Sequence, residues 1–318
     1  MDYRVVDGLC SRIIGTLHDY WSKVHEGFLK EDFVLYQYTD VSALQGIIKN
    51  NVFWATHFRY LNDKKELDFG LNLVHQFVTN NGNKYSGQCT KDFFDEINDI
   101  CLNSSSRGEL PFHAVDIYSI SLSSKGDLLS QWRGYGKKYR SVCIGFDVNK
   151  LECDIIGGGR SCFLRKIIYN PIEQKNIIEA YMNEACYVLE NNESLFMRDN
   201  DVLIETKRQI YTGILIAALC FKERCWEEED EWRLIMMPYD PVRGNALEVC
   251  FREGNSGLIP YINAPIFVNG SAIDAVKEVI LPKSESFIRS KKSVDMFFHQ
   301  VKNNINVPII ESKISIVY

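Results

Sequence analysis

From Glu227 to Met237 the chain runs through five consecutive carboxylates, Glu227-Glu228-Glu229-Asp230-Glu231, and passes without a break into the apolar stretch Trp232-Arg233-Leu234-Ile235-Met236-Met237. Adjacent carboxylates repel one another. A fold therefore leaves them in solvent, gives them a cation or a metal, or holds one of them protonated. Solvent is the ordinary fate of a charge run and predicts an exposed loop leading into a strand. The pattern Glu229-x-Glu231 adds a second constraint, because at strand spacing the two side chains share one face, roughly 7 Å apart, and can act on one ligand.

A chain of 318 residues is long for one domain and short for two large ones, which predicts one core with elaborations. Hydrophobic content of 46% beside 25% charged residues is that of a globular fold. A net charge of -6 excludes a broad electrostatic grip on nucleic acid and leaves only local basic patches. The longest apolar run, Gly213 to Phe221, falls far short of the roughly 20 residues that span a bilayer. The start of the chain mixes Asp2, Arg4 and Asp7 with apolar residues, so no secretory leader is expected. Ten scattered cysteines with no C-x-x-C predict reduced, mostly buried thiols in a cytoplasmic protein without a structural metal.

Val6, Leu9, Ile13, Leu17, Tyr20, Trp21, Val24 and Phe28 recur every three or four positions, predicting one amphipathic helix over residues 1–30 that packs on the core or offers a face to a partner protein or second copy. His18 and His25 flank that stripe and have no partner at metal-ligand spacing. Phe33 to Thr39 reads as a strand, capped by Thr39 or Asp40 into a helix that buries Leu44, Ile47 and Ile48 and stops at Asn50-Asn51. Val52 to Thr56 is a strand, and Asp63 with Glu66 a capping pair for a helix carrying Leu67, Leu71, Val74 and Val78. Residues 79–90 read as a polar surface loop, Asp92 to Leu102 as a short helix and Ser104 to Gly108 as another loop. Strands are expected at Val115 to Ser123, Ser141 to Asp147 and Phe163 to Tyr169, with a turn at Gly157-Gly158-Gly159. Helices follow over Glu173 to Leu189, opened by Pro171, and over Val202 to Lys222. The remainder reads as strands near Leu247–Phe251, Leu258–Ile262 and Val276–Leu281, a helix near Ser284–His299 and a closing strand Lys313–Val317.

Two stretches carry site chemistry. Ser119, Ser121 and Ser123 fall on one face of their strand, either as its wet side or as hydroxyls for a polar ligand. Gln131-Trp132-Arg133-Gly134-Tyr135-Gly136 sets two aromatic rings beside glycines that permit close approach, and reads either as a ring-stacking site or as a helix ended by glycine with Trp132 in the core.

In this order the pieces resemble a widespread bacterial family of unknown function, encountered in mobile elements and near phage-defence genes. Its marks are L-Y-x-Y-T, here Leu35-Tyr36-Gln37-Tyr38-Thr39; L-N-D-x-x-E, here Leu61-Asn62-Asp63 with Glu66; W-x-x-Y, here Trp132 and Tyr135; Cys143-Ile144-Gly145-Phe146; and E-x-E-W-R, here Glu229 with Glu231-Trp232-Arg233. The likeness runs from about residue 33 to the end, with Val276 to Leu281 as its last recognisable segment. More distantly, the order of parts is similar to that of ADP-ribosyltransferases. That resemblance implies NAD as substrate, a first-strand basic residue on NAD, a middle-strand Ser or Tyr, and a late Glu that stabilises the oxocarbenium-like centre. Carried across, these positions are Gln37, Ser121 and Glu231, with Glu229 orienting an acceptor or acting as base. Gln37 departs from the pattern, since an amide cannot pair with a pyrophosphate as Arg does, and Arg133 becomes the alternative phosphate partner. Tyr38, Thr39, Trp132 and Tyr135 complete the expected NAD contacts.

The resulting expectation is an α+β protein with mixed, largely antiparallel sheets, an N-terminal helix over 1–30 and a single domain over 31–318 with a helical insertion near 171–222. Its expected activity is that of an NAD-consuming ADP-ribosyltransferase-like effector of anti-phage defence, acting on an unknown macromolecular acceptor. Two alternatives stand beside it. One is a metal-dependent nuclease holding its ion on Asp63, Glu229 and Glu231; the other is a non-catalytic module that binds a nucleotide or a protein.

Overall fold

The computed structural model describes residues 3–26, 33–61, 65–107, 116–135, 140–153, 162–240, 245–254 and 257–315. In chain order the first elements are α1 (Tyr3–Glu26), β1 (Val34–Asp40), α2 (Val41–Asn50), β2 (Phe53–His57), α3 (Lys65–Asn81), α4 (Gln88–Arg107), β3 (Tyr118–Ser123) and α5 (Leu129–Tyr135). Next come β4 (Ser141–Asp147), β5 (Cys162–Lys166), α6 (Pro171–Asn191), α7 (Glu193–Phe196), α8 (Asn200–Ala218) and β6 (Glu231–Met236). The rest is β7 (Tyr239–Asp240), β8 (Asn245–Ala246), β9 (Val249–Gly254), β10 (Gly257–Ala264), β11 (Val276–Leu281), α9 (Phe287–Val301) and β12 (Ile309–Glu311). Among the described residues no helix is long and apolar enough to cross a membrane. All ten cysteines are free thiols, and of these only Cys225 is exposed.

The chain divides into two compact units, one of Met1–Val24, Leu61–Asp116 and Ile167–Glu227, the other of His25–Tyr60, Ile117–Lys166 and Glu228–Tyr318. The first unit is helical. Its α1 buries Val6, Cys10, Ile13, Leu17 and Trp21, the stripe that the heptad-like spacing requires. Gly70 lets α3 lie against α8, since a Cβ there would stand 2.5 Å from the Ala218 Cα. Two buried polar side chains tie this unit together: Lys222 meets Glu66 at 2.8 Å, and Gln174 Nε2 donates to the carbonyls of Ile168 and Lys222 at 2.6 and 2.8 Å.

The expected loop at 79–90 is shorter in the structure. Thr79 Oγ1 and Asn81 Nδ2 donate to the carbonyls of His75 and Phe77, four residues back, which carries α3 to Asn81. The next helix then starts at Gln88 because carboxylates from α6 and α7 cap it. Glu190 accepts from Gly87 N at 2.8 Å and Glu193 from Gln88 N at 2.6 Å, satisfying amides that a helix start leaves open. It continues to Arg107, through residues expected to form a loop.

The second unit is built on a ten-stranded, mostly antiparallel sheet in which β11 and β12 form a parallel pair. Asp40 ends β1 and caps α2, accepting from Ala43 N at 2.9 Å, and Asn51 stops that helix at φ 54°. Central β3 pairs along its whole length with β6, which pairs in turn with β5. Its other edge is shared. There β1 joins at Tyr36↔Ser123 and leads to β4, β11 and β12, whereas β2 joins at Ser119 and Tyr118 and leads to β10 and β9. Between those contacts Ser121 has neither strand as a register partner, so the sheet forks at Ser121.

One face of the sheet carries the main core: Leu35, Phe53, Ala55, Ile120, Leu122, Ile144, Phe146, Leu164, Trp232 and Leu234, covered by Leu44, Ile47 and Ile48 of α2 and Val294 and Phe298 of α9. Burying this aliphatic and aromatic surface drives the unit's folding, at roughly 25 cal/mol per Å². On the opposite face, over β1, β4 and β11, a smaller cluster joins Tyr38, Trp132, Cys143 and Ile280. The closing strand expected over Lys313–Val317 is not formed at Lys313 to Ser315, and its last two residues lie outside the described residues. β12 ends at Glu311 because Asp127 captures Ser312 Oγ at 2.6 Å and Lys313 N at 2.7 Å, turning the chain out of the sheet.

Candidate functional site

The acidic run divides in two. Glu227 and Glu228 are exposed, as a solvated charge run should be, but Glu229 and Glu231 are buried. Arg224–Glu229 forms a 3₁₀ turn, Asp230 takes a left-handed φ of 42°, and β6 starts only at Glu231. The strand spacing expected for Glu229-x-Glu231 therefore does not apply. A turn, not a strand, separates the two carboxylates.

That turn is fastened to the end of β3. Ser123 Oγ donates to Glu229 O at 2.7 Å and accepts from Lys125 N at 3.0 Å, and Lys125 Nζ donates to Glu228 O at 3.1 Å. Ser124 N donates to Asp230 O at 3.1 Å, its hydroxyl bonds the Asp230 carboxylate, and Lys166 pairs with that carboxylate at 3.1 Å. Burial pushes the Asp230 carboxyl up, but the Ser124 hydroxyl, Lys166 and Lys125 outweigh it and hold it below the usual aspartate range.

Strand parity inside β6 brings Glu231 and Arg233 to one face. They form a two-pronged ion pair, with Arg233 Nε to Glu231 Oε1 at 2.7 Å and Nη2 to Oε2 at 3.1 Å, while Glu231 is 4% and Arg233 2% exposed. In register across β3 lie Ser123 opposite Glu231 and Ser121 opposite Arg233, and across β5 lies buried Arg165, also opposite Arg233. Cross-strand partners project to the same side of a sheet. Ser121, Ser123, Glu231, Arg233 and Arg165 therefore share the face opposite the main core.

The other expected contacts are distributed differently. Tyr36 pairs with Ser123, so Tyr36 and Tyr38 project to the Glu231 face, and Gln37 and Thr39 to the core face. The structure thus brings Ser121 and Glu231 together and leaves Gln37 on the opposite side of the sheet, with its Oε1 buried and without a hydrogen-bond partner. Tyr38 and Trp132 are packed edge to face at 5.3 Å, and Trp132 is 1% exposed. Their polar atoms pin the loop after β3: Tyr38 Oη donates to Lys125 O at 2.7 Å and accepts from Leu128 N at 2.8 Å, and Trp132 Nε1 donates to Asp127 at 2.8 Å. Tyr135 packs against the same cluster, and Arg133 points outward from α5. His25 is buried against Trp232, with ring centroids 5.4 Å apart.

Asp63, Gly136 and the Gly157-Gly158-Gly159 turn lie outside the described residues. Among those described, no three His, Cys, Asp or Glu side chains stand together as metal ligands. Arg165 is a member of the buried polar face that sequence reading passed over. A charged residue at an inward-alternating position of the expected strand Phe163 to Tyr169 was its only signal.

Residues 131–234 match a family described as Protein of unknown function (DUF2971). The matched segment runs from α5 into β6 and holds Trp132 with Tyr135, the Cys143-Ile144-Gly145-Phe146 strand, and Glu229 with Glu231-Trp232-Arg233. The motifs at Leu35 and Leu61 fall before it. No curated protein and no solved structure matches the chain.

Proposed function

We propose that the face bearing Ser121, Glu231, Arg233 and Arg165 takes an NAD-type dinucleotide and that the protein transfers or hydrolyses its ADP-ribose, as an effector in defence against phage. The observation that carries this reading is the fork of β1 and β2 around Ser121, next to a carboxylate fixed in place by Arg233. Where two strands part, the strand between them offers side chains and backbone to a ligand. In the reaction the bond from ribose C1′ to the nicotinamide nitrogen breaks with its electron pair leaving on nicotinamide. Positive charge develops at C1′, where the Glu231 carboxylate stabilises it. The acceptor's oxygen or nitrogen, or water, then bonds to C1′ and gives its proton to a base, the role assigned to Glu229. Arg165 and Arg233 supply the cationic character that a pyrophosphate needs and that Gln37 cannot provide.

The test is expression of wild-type and Glu231→Gln proteins, with cellular NAD and ADP-ribose labelling of macromolecules measured beside folding by circular dichroism. Wild type should consume NAD or label an acceptor, and Glu231→Gln should reduce this by about 100-fold. Growth arrest that persists in a folded Glu231→Gln protein, or wild-type arrest with NAD unchanged and no label, would sink the proposal.

A second reading is a module that binds a nucleotide without cleaving it. It is favoured by the engagement of both Glu231 oxygens by Arg233, which offsets the charge needed at C1′, and by the position of Gln37 on the other face. That reading predicts NAD bound without release of nicotinamide.

A further inference from the structure

On the wing of the sheet that runs from β2 to β9, a second group of polar side chains remains unexplained by the Glu231 site. Arg252 of β9 donates from Nη2 to Thr56 Oγ1 at 2.7 Å, and its guanidinium lies 5.8 Å from the Tyr261 ring centroid. Thr56 stands in register between Tyr261 of β10 and Ser119 of β3, so the three share the face that carries Ser121. Ser119 is 2% exposed, and its hydroxyl has no hydrogen-bond partner. Buried hydroxyls in native structures are nearly always paired, and one that is not calls for a reason. Arg252 is half-buried and, among the described residues, has no carboxylate at ion-pair distance. Burial lowers its pKa, and the Tyr261 and Asp40 charges only partly oppose that.

We propose that Arg252, Thr56 and Ser119 form a subsite for a phosphoryl group. Apart from the N–H that Arg252 gives to Thr56, the hydrogens of this group are donors without a fixed acceptor. Arg252 spends one N–H on Thr56 and keeps the rest of its planar fork, which fits two oxygens of a tetrahedral anion. Because Thr56 Oγ1 accepts from Arg252, its own O–H is left to donate, and the Ser119 O–H is a third donor from a neighbouring strand. A site with several donors and a cation selects an anion, and three donors from three strands suit several oxygens better than the two of a carboxylate. The Tyr261 ring, already in contact with the Arg252 guanidinium, flanks the group, and Trp54, packed on Gly46 of α2, stands behind it with ring centroids 5.8 Å apart. The subsite stands whether or not Glu231 carries out ribosyl transfer, since none of its members touches that carboxylate.

Isothermal titration of the full chain with ADP, inorganic pyrophosphate and inorganic phosphate tests it. Arg252→Ala should weaken binding by roughly tenfold or more, and Arg252→Lys should recover only part of this because it keeps charge without the fork. Ser119→Ala separates binding from folding. Removing an unpaired buried hydroxyl should raise the melting temperature while weakening the anion by several-fold. The exposed Arg59, replaced by Ala, should bind as wild type does. ADP tighter than pyrophosphate would support a nucleotide as source, and equal affinities a free anion. No heat at millimolar concentration from any of the three, or equal affinities in wild type, Arg252→Ala and Ser119→Ala, would overturn the proposal. Glu231→Gln should leave these affinities within about twofold, so loss of NAD turnover with phosphoryl binding intact isolates a failure of the catalytic reading alone.

Discussion

Removing both partners of the Glu231–Arg233 pair should cost less than the two single removals added together. Each is almost fully buried, and each prong of the pair is within hydrogen-bond distance. Glu231→Ala leaves a buried guanidinium, and Arg233→Met a buried carboxylate. Breaking a buried pair from one side costs about 3–5 kcal/mol because the remaining charge has lost its two-pronged partner while still out of water. At about 2–4 °C per kcal/mol for a fold of this size, each single change should lower the melting temperature by roughly 6–20 °C. The double change Glu231→Ala with Arg233→Met removes both charges together. Its cost should fall short of the summed single costs by about 1–3 kcal/mol. The assay is a double-mutant cycle by urea unfolding, read by tryptophan fluorescence, since Trp232 lies between the pair. Additive single effects, or single costs under about 1 kcal/mol, would refute the reasoning and mean that other neighbours already compensate both charges. The same cycle guards the functional test, because loss of activity in Glu231→Gln counts as chemistry only in protein shown to be folded.

Three further outcomes follow from named contacts. Asp127→Ala should destabilise by about 1–3 kcal/mol, because Trp132 Nε1 loses its buried acceptor, and should speed proteolysis after Glu311, since Ser312 and Lys313 lose their anchor. Gly70→Ala should cost at least about 1–3 kcal/mol by chemical denaturation, because its Cβ would meet backbone of α8 that has no free rotamer to yield. Asp230 is held below the usual aspartate pKa in the native state, so its stabilising contribution is fully present above about pH 3.9 and is lost as pH falls through the folded value. The stability gap between wild type and Asp230→Asn, an exchange that tolerates the left-handed backbone, should therefore shrink between pH 6 and pH 3, and an unchanged gap would contradict the assignment.

The local rules were legible in the sequence. The spacing of Val6, Ile13, Leu17 and Trp21 determines α1, Asp40 and Asn51 bracket α2, Pro171 starts α6, and alternation along β3 sets Ser119, Ser121 and Ser123 on one face. Alternation also implied the Glu231–Arg233 pair, by the same rule that was applied to Glu229 and Glu231. It failed for the latter because Asp230 adopts a left-handed turn where β3 captures the backbone. What tertiary structure alone decided is which strands share a face. Parity within a strand is fixed by the pleat, but parity between strands depends on register, and the pairing of Tyr36 with Ser123 sends Gln37 away from Ser121 and Glu231. Likewise the start of α4 depends on Glu190 and Glu193, and Arg252 reaches Thr56 across 196 residues of chain. Such contacts leave no local periodicity, because the donor and acceptor that satisfy each other are joined only after the strands and helices have packed.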